Sequence, residues 1–217
     1  MNAAAYVLVA AFAVVAPANW LTRRPGHERW EAPTKLGAIS LLVALALVVS
    51  PVDDAVRAWF VVALVLSAAG DAFLLAGDRL FLPGLASFLL AHLAYVVGIV
   101  LVDTWRPLGL LVGIAGSAVL FAVVGRRILA ASGGLRVPVA CYLVAILSMA
   151  TLACASLPAV GVVGAVLFVA SDSLLGWRMF VVERSRGADA TPAWMPPAIM
   201  ATYHVGQLLL VLSLVVA

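Results

Sequence analysis

Two aspartates stand where an aspartate is costly. Asp71 sits inside "LSAAGDAFLLAGDRLF" (residues 66–81) and Asp172 inside "GAVLFVASDSLL" (residues 164–175). At the centre of a membrane helix such a residue costs about 2.5–3.5 kcal/mol on insertion scales. A neutral Asn would tie helices together at lower cost, so the carboxyl group itself is the expected reason for both. An apolar surrounding and a neighbouring carboxylate each favour the protonated acid. Two carboxyls in one apolar cavity can therefore divide into an acid and a base. Asp71 and Asp172 are the candidate catalytic pair, and a proton-coupled path is the other use for such residues.

Other polar side chains lie in the same apolar stretches: Ser67, His92, Tyr95, Ser171, Ser173, Tyr203, His204 and Gln207. Ser67 and Asp71 are four apart, as are Tyr203 and Gln207, so each pair shares a helix face. The bland reading of Ser67, Ser87 and Gln207 is interhelical glue, and a lone buried His is commonly a packing residue. Gly84, Ser87, Ala91, Tyr95 and Gly98 form a small-residue stripe beside His92, suited to close helix contact. At about 1.5 Å per residue, Asp71, Asp172 and His204 fall at similar depths from one membrane face. His92 falls deeper. Four spans thus aim polar groups at one layer.

The elements that carry these residues follow from composition. Of 217 residues, 65% are hydrophobic and 11% charged, against about a quarter charged in a soluble domain. This excludes a soluble fold and predicts an all-α polytopic bundle, a single transmembrane domain over residues 1–217. Spans of about 20 residues are needed to cross the hydrocarbon core. Eight are expected, at 3–21, 35–51, 55–76, 81–102, 107–125, 136–156, 158–180 and 197–217. Pro25-Gly26, Pro51, Gly77-Asp78, Pro107, Gly133-Gly134, Pro158 and Pro192 to Pro197 mark the breaks. The first run has no basic region before it and no A-x-A-like site, and reads as a span, not a cleaved signal. Ala69-Gly70-Asp71-Ala72 resembles Ala170-Ser171-Asp172-Ser173, the trace of a weak four-plus-four parallel repeat.

The odd-numbered loops hold Arg23, Arg24, Arg29, Lys35, Arg79, Arg126, Arg127, Arg136, Arg178, Arg184 and Arg186, eleven of the thirteen Lys and Arg. Positive loops stay in the cytosol, so both termini are expected outside and the polar layer in the cytosolic half. The net charge of +3 is thus an orientation signal, and no nucleic-acid partner is expected. The loop arginines are topology signals with a secondary use against lipid phosphate. The Ala-, Val- and Arg-rich composition is that of a GC-rich bacterium, and the expected location is its inner membrane. Cys141 and Cys154 share one apolar stretch without metal or redox spacing. Asp78 sits in a short turn, where it caps, solvates or meets substrate.

The blocks "GDAFLL", "FLPGLASFLLAHLAYVVG", "GAVLFVASDSLL" and "ATYHVGQLLLVLS", in this order from Leu66 to the C-terminus, resemble the signature blocks of the YhhN family, whose animal members are lysoplasmalogenases. The family opens its second span with Lys-Pro; here Leu36 follows Lys35. The resemblance implies an integral membrane hydrolase that cleaves the vinyl ether bond of a lysolipid. The products are a fatty aldehyde and glycerophospho-ethanolamine or -choline. It implies a lysophospholipid substrate, membrane lipids as surroundings, and no cofactor. A vinyl ether is cleaved by acid: a proton adds to carbon, water adds to the oxocarbenium ion, and the hemiacetal collapses. Glycosidases meet a related demand with two carboxyls. Asp71 and Asp172 suit that chemistry without metal, with Lys35, Asp78, His92, Tyr95, Ser171, Tyr203, His204 and Gln207 as candidate substrate contacts. Either aspartate can be the acid.

Three rival readings use the same polar residues. A proton-coupled lipid or small-molecule transporter would use the same aspartates and leave the lipid intact. A zinc hydrolase would use His92, His204 and an aspartate, but there is no HxxxH pair, and the third histidine, His27, is in a loop. An intramembrane aspartyl protease would need Gly-x-Gly-Asp, and Ala68 breaks that pattern.

Overall fold

The computed structural model describes residues 2–22 and 28–216. The sequence expectations at Arg23, Arg24, Pro25, Gly26 and His27 fall outside the described residues, as does the side chain of Asp78. Among the described residues there is no strand, and eight helices are long and apolar enough to cross a membrane. They are α1 (Ala3–Leu21), α2 (Glu31–Val48), α3 (Asp54–Leu75), α4 (Phe81–Val100), α5 (Pro107–Ala131), α6 (Gly133–Ser156), α7 (Ala159–Arg186) and α8 (Met195–Ser213).

Local chemistry sets the ends. The Asn2 side chain caps α1 by accepting from the Ala5 N–H, and Asp53 caps α3 by accepting from Ala55 and Val56. Pro107 and Pro196 occupy first-turn positions, where no N–H is missed. Gly77 follows α3 with φ +97°, a conformation that a side chain would strain.

Neighbouring helices form a closed ring. α1 packs on α2, α2 on α3, α3 on α4, α4 on α6, α6 on α7, α7 on α8, and α8 back on α1 and α2, while α5 lies outside against α6. Small residues set the closest crossings, as lipid-embedded helices require. A Cβ on Gly164 of α7 would lie 2.8 Å from the Leu210 backbone nitrogen, and one on Gly206 of α8 would lie 2.9 Å from the Gly164 carbonyl oxygen. Inside the ring, Phe60, Leu64, Tyr95, Met149, Phe168 and Leu210 are buried in one apolar cluster.

Two helices contain π-helical stretches. Phe121–Gly125 in α5 and Trp177–Glu183 in α7 are π-helical, a distortion often found at functional sites. Both helices then continue past the ends expected at 125 and 180, to Ala131 and Arg186. The second span begins at Glu31, four residues before the expected Lys35. Pro33 permits this because it falls in the first turn of α2, where a missing N–H is tolerated. Lys35 is thereby carried one turn into the helix.

Candidate active site

Asp71 lies about one helical turn from the end of α3 and is 2% exposed. Its charge is met directly. Lys35 Nζ of α2 is 2.9 Å from Asp71 Oδ1, with both side chains buried. Tyr203 Oη of α8 donates to Asp71 Oδ2 at 2.9 Å. A buried carboxylate needs such partners to remain ionised without large cost. Asp71 is thus held as the anionic half of an ion pair, with a phenol on its second oxygen.

Asp172 on α7 has a different set. The Tyr142 hydroxyl of α6 donates to its Oδ2. His92 Nε2 of α4 lies 3.5 Å from the same oxygen, without a formed hydrogen bond. His92 Nδ1 is 2.6 Å from the Phe88 carbonyl oxygen. A carbonyl only accepts, so Nδ1 carries a hydrogen, and in the neutral ring Nε2 offers a lone pair. No ion pair to Lys or Arg joins Asp172 among the described residues.

Both aspartates line one polar pocket, together with Lys35, Tyr142, Ser171, Arg178 and Tyr203. Ser171 Oγ donates to the Ile199 carbonyl and so stitches α7 to α8 at the pocket edge. Arg178, at the start of the π-helical stretch, donates through Nε to Glu183 at 2.6 Å. The Thr191 hydroxyl also donates to that carboxylate, at 3.1 Å.

The remaining candidates sit behind the pocket. Tyr95 Oη donates to Gln207 Oε1 at 2.5 Å, and Gln207 Nε2 donates to Ser67 Oγ at 3.1 Å, all three being buried. This chain ties α4, α8 and α3 together, the glue expected of such groups in lipid. His204 faces α1: its Nδ1 accepts from Trp20 Nε1 at 3.0 Å, and the Phe12 ring meets it edge-on at 6.0 Å. Among the described residues, no group of three His, Cys, Asp or Glu is arranged to hold a metal ion.

Two pocket residues were not singled out from the sequence. Tyr142 reads as an ordinary aromatic near the start of a span, although its depth matches that of the aspartates. Arg178 reads as a charge at the margin of the seventh span and so as a topology signal, whereas α7 runs on to Arg186 and carries it into the pocket wall.

No solved structure matches the chain. Two curated relatives do, each named lysoplasmalogenase, one from Mycobacterium bovis and one from Mycobacterium tuberculosis. Each is 34% identical over 180 residues. The match covers 78% of this chain and 66% of each relative, so the chain spans just under two thirds of their length. The YhhN family model matches residues 30–214. That range holds every helix after α1 and every side chain of the polar pocket, and on this match the chain belongs to the YhhN family.

Proposed function

We propose that this integral membrane protein is a hydrolase that cleaves the vinyl ether bond of a lysoplasmalogen or a closely related single-chain lipid. Asp172 is the proton donor and Asp71 a permanent carboxylate. One observation carries the reading: the two aspartates share a pocket, but among the described residues only Asp71 has a cation against it. Asp172 is met instead by a phenol and by a ring nitrogen that offers a lone pair. That arrangement is favourable when a proton lies between Asp172 and His92. The name borne by the two mycobacterial relatives supports the same substrate class.

The reaction then runs in balanced steps. Asp172 gives its proton to the alkenyl carbon two atoms from the ether oxygen, and the C=C pair forms the new C–H bond. The oxocarbenium ion that results faces the new Asp172 carboxylate and the field of Asp71. Water adds to the cationic carbon and returns a proton to Asp172. The hemiacetal then breaks its C–O bond to the glycerol: Asp172 protonates the leaving glycerol oxygen, and the hemiacetal hydroxyl returns its proton to Asp172 as the C=O forms, giving an aldehyde and an alcohol. Lys35 and Arg178 meet the oxygens of the polar headgroup. No metal enters any step.

The test is incubation of purified protein with lysoplasmalogen and a panel of other lysolipids, read by mass spectrometry for released aldehyde or fatty acid. Aldehyde release that survives EDTA and stronger chelators is expected. Activity lost to chelation and restored by zinc would replace the acid mechanism with a metal one. Lipid recovered intact but moved across proteoliposome membranes would make the protein a transporter.

The reading includes a sidedness, in which both termini face outward and the pocket opens in the cytosolic half of the bilayer. It rests on the eleven basic residues in the odd loops. A reporter active only outside the cytosol is expected to be active when fused after Ala217 and silent when fused at Gly187. The reverse pattern overturns the sidedness.

A further inference from the structure

We infer, resting on the hydrolase reading above, that an apolar cleft behind Asp172 holds the single hydrocarbon chain of the substrate, and that the π-helical stretch of α5 limits its length. The cleft lies between the membrane-embedded parts of α4, α5, α6 and α7 and is open on one side, with about 790 Å³ of space between atoms that includes this open mouth. It adjoins the polar pocket, with Leu74, Phe88, Tyr142, Asp172 and Leu175 lining both. On the polar side of Asp172 lie Lys35, Asp71 and Arg178. On the far side the wall is almost wholly apolar, and Leu120, Phe121, Val124 and Ile128 of α5 and its continuation face the cleft without touching the polar pocket.

That division matches a single-chain lipid. Its reacting bond joins a polar glycerol to a hydrocarbon chain, and Asp172 stands where the two cavities meet. A headgroup in the polar pocket sends the chain into the cleft. Around the cleft, Ile128, Val139 and Phe180 form a second apolar cluster, separate from the main core and joined by Phe81, whose ring meets Phe180 edge-on at 6.3 Å. Phe121 lines the cleft yet is 40% exposed, so the cleft reaches the lipid-facing surface beside α5. Chains enter there from the bilayer.

Two measurements test this. The first uses a saturated ether analogue of lysophosphoethanolamine, which has no vinyl bond to cleave, with a diazirine at the chain end. Photolysis and peptide mass spectrometry are expected to find adducts on residues 120–128 and 176–180. Adducts confined to outward residues such as Leu111, 64% exposed, overturn the chain site. Turnover is not needed, so cleft labelling without aldehyde release from the natural bond would sink the hydrolase reading and leave the chain site standing. The second compares long (octadecenyl) and short (decenyl) chains. Val124→Trp is expected to lower the long-to-short ratio of kcat/KM by roughly fifteen- to sixty-fold, as exclusion of two or three methylenes would, whereas Leu111→Trp keeps the wild-type ratio. An unchanged ratio in Val124→Trp overturns the length limit.

Discussion

Asp172→Asn lowers turnover by at least about 10²-fold, the range lost when a positioned proton donor is removed. Asn keeps the size of Asp and keeps an oxygen that accepts from the Tyr142 hydroxyl, so the protein folds and extracts as wild type does. What it lacks is a proton to give. Tyr142→Phe removes a hydrogen bond and leaves the acid in place, so its loss is smaller. The measurement is aldehyde release per folded protein, with folding read from gel-filtration elution and thermal melting. Combining Asp172→Asn with Asp71→Asn adds little to either single loss, because groups that act as a unit are strongly non-additive. Well-folded Asp172→Asn protein with near wild-type turnover would remove Asp172 from the chemistry.

Lys35→Met has the largest expected effect on stability. It leaves Asp71 buried with its cation gone, and breaking a buried pair on one side costs about 3–5 kcal/mol. Replacing both partners with apolar residues is often neutral. Lys35→Met/Asp71→Leu should therefore regain most of the stability lost in Lys35→Met while remaining inactive. Thermal or denaturant midpoints in detergent read the first effect, and aldehyde release the second. If the double variant is no more stable than Lys35→Met, the ion pair is not what holds α2 to α3.

The two aspartates were legible in the sequence because a carboxyl in an apolar run has a large cost and few reasons. The span count was legible for the same reason, since apolar length and turn residues leave little freedom. Which aspartate carries the cation was not legible, because Lys35 stands at the margin of its apolar run, and only the start of α2 at Glu31, with Pro33 in the first turn, carries it inward. His204 illustrates a second limit. It adjoins Tyr203 in sequence, but successive helix residues point about 100° apart. Tyr203 reaches Asp71 while His204 turns to Trp20 of α1. Gln207 shares the face of Tyr203 but lies one turn further on, where Tyr95 and Ser67 take up its amide. Arg178 was hidden by its position two residues from the expected end of its span, where a cation reads as an orientation signal; α7 continues to Arg186 and leaves it in the pocket wall. Periodicity gives faces and depths; only tertiary packing decides which neighbour answers each face.

The Lys35–Asp71 pair has a consequence for the safety of the proposed reaction. A fatty aldehyde is an electrophile that condenses with neutral amines to imines, and lysine is the usual protein target. This chain has one lysine among its 217 residues, and its other twelve basic side chains of the Lys/Arg type are arginines. That lysine lines the pocket in which the aldehyde would form. Its Nζ is held 2.9 Å from Asp71 Oδ1 with both side chains buried, so attack on a carbonyl would first require breaking the ion pair. The same contact that joins α2 to α3 would thus guard the chain's one lysine against the aldehyde of the proposed reaction.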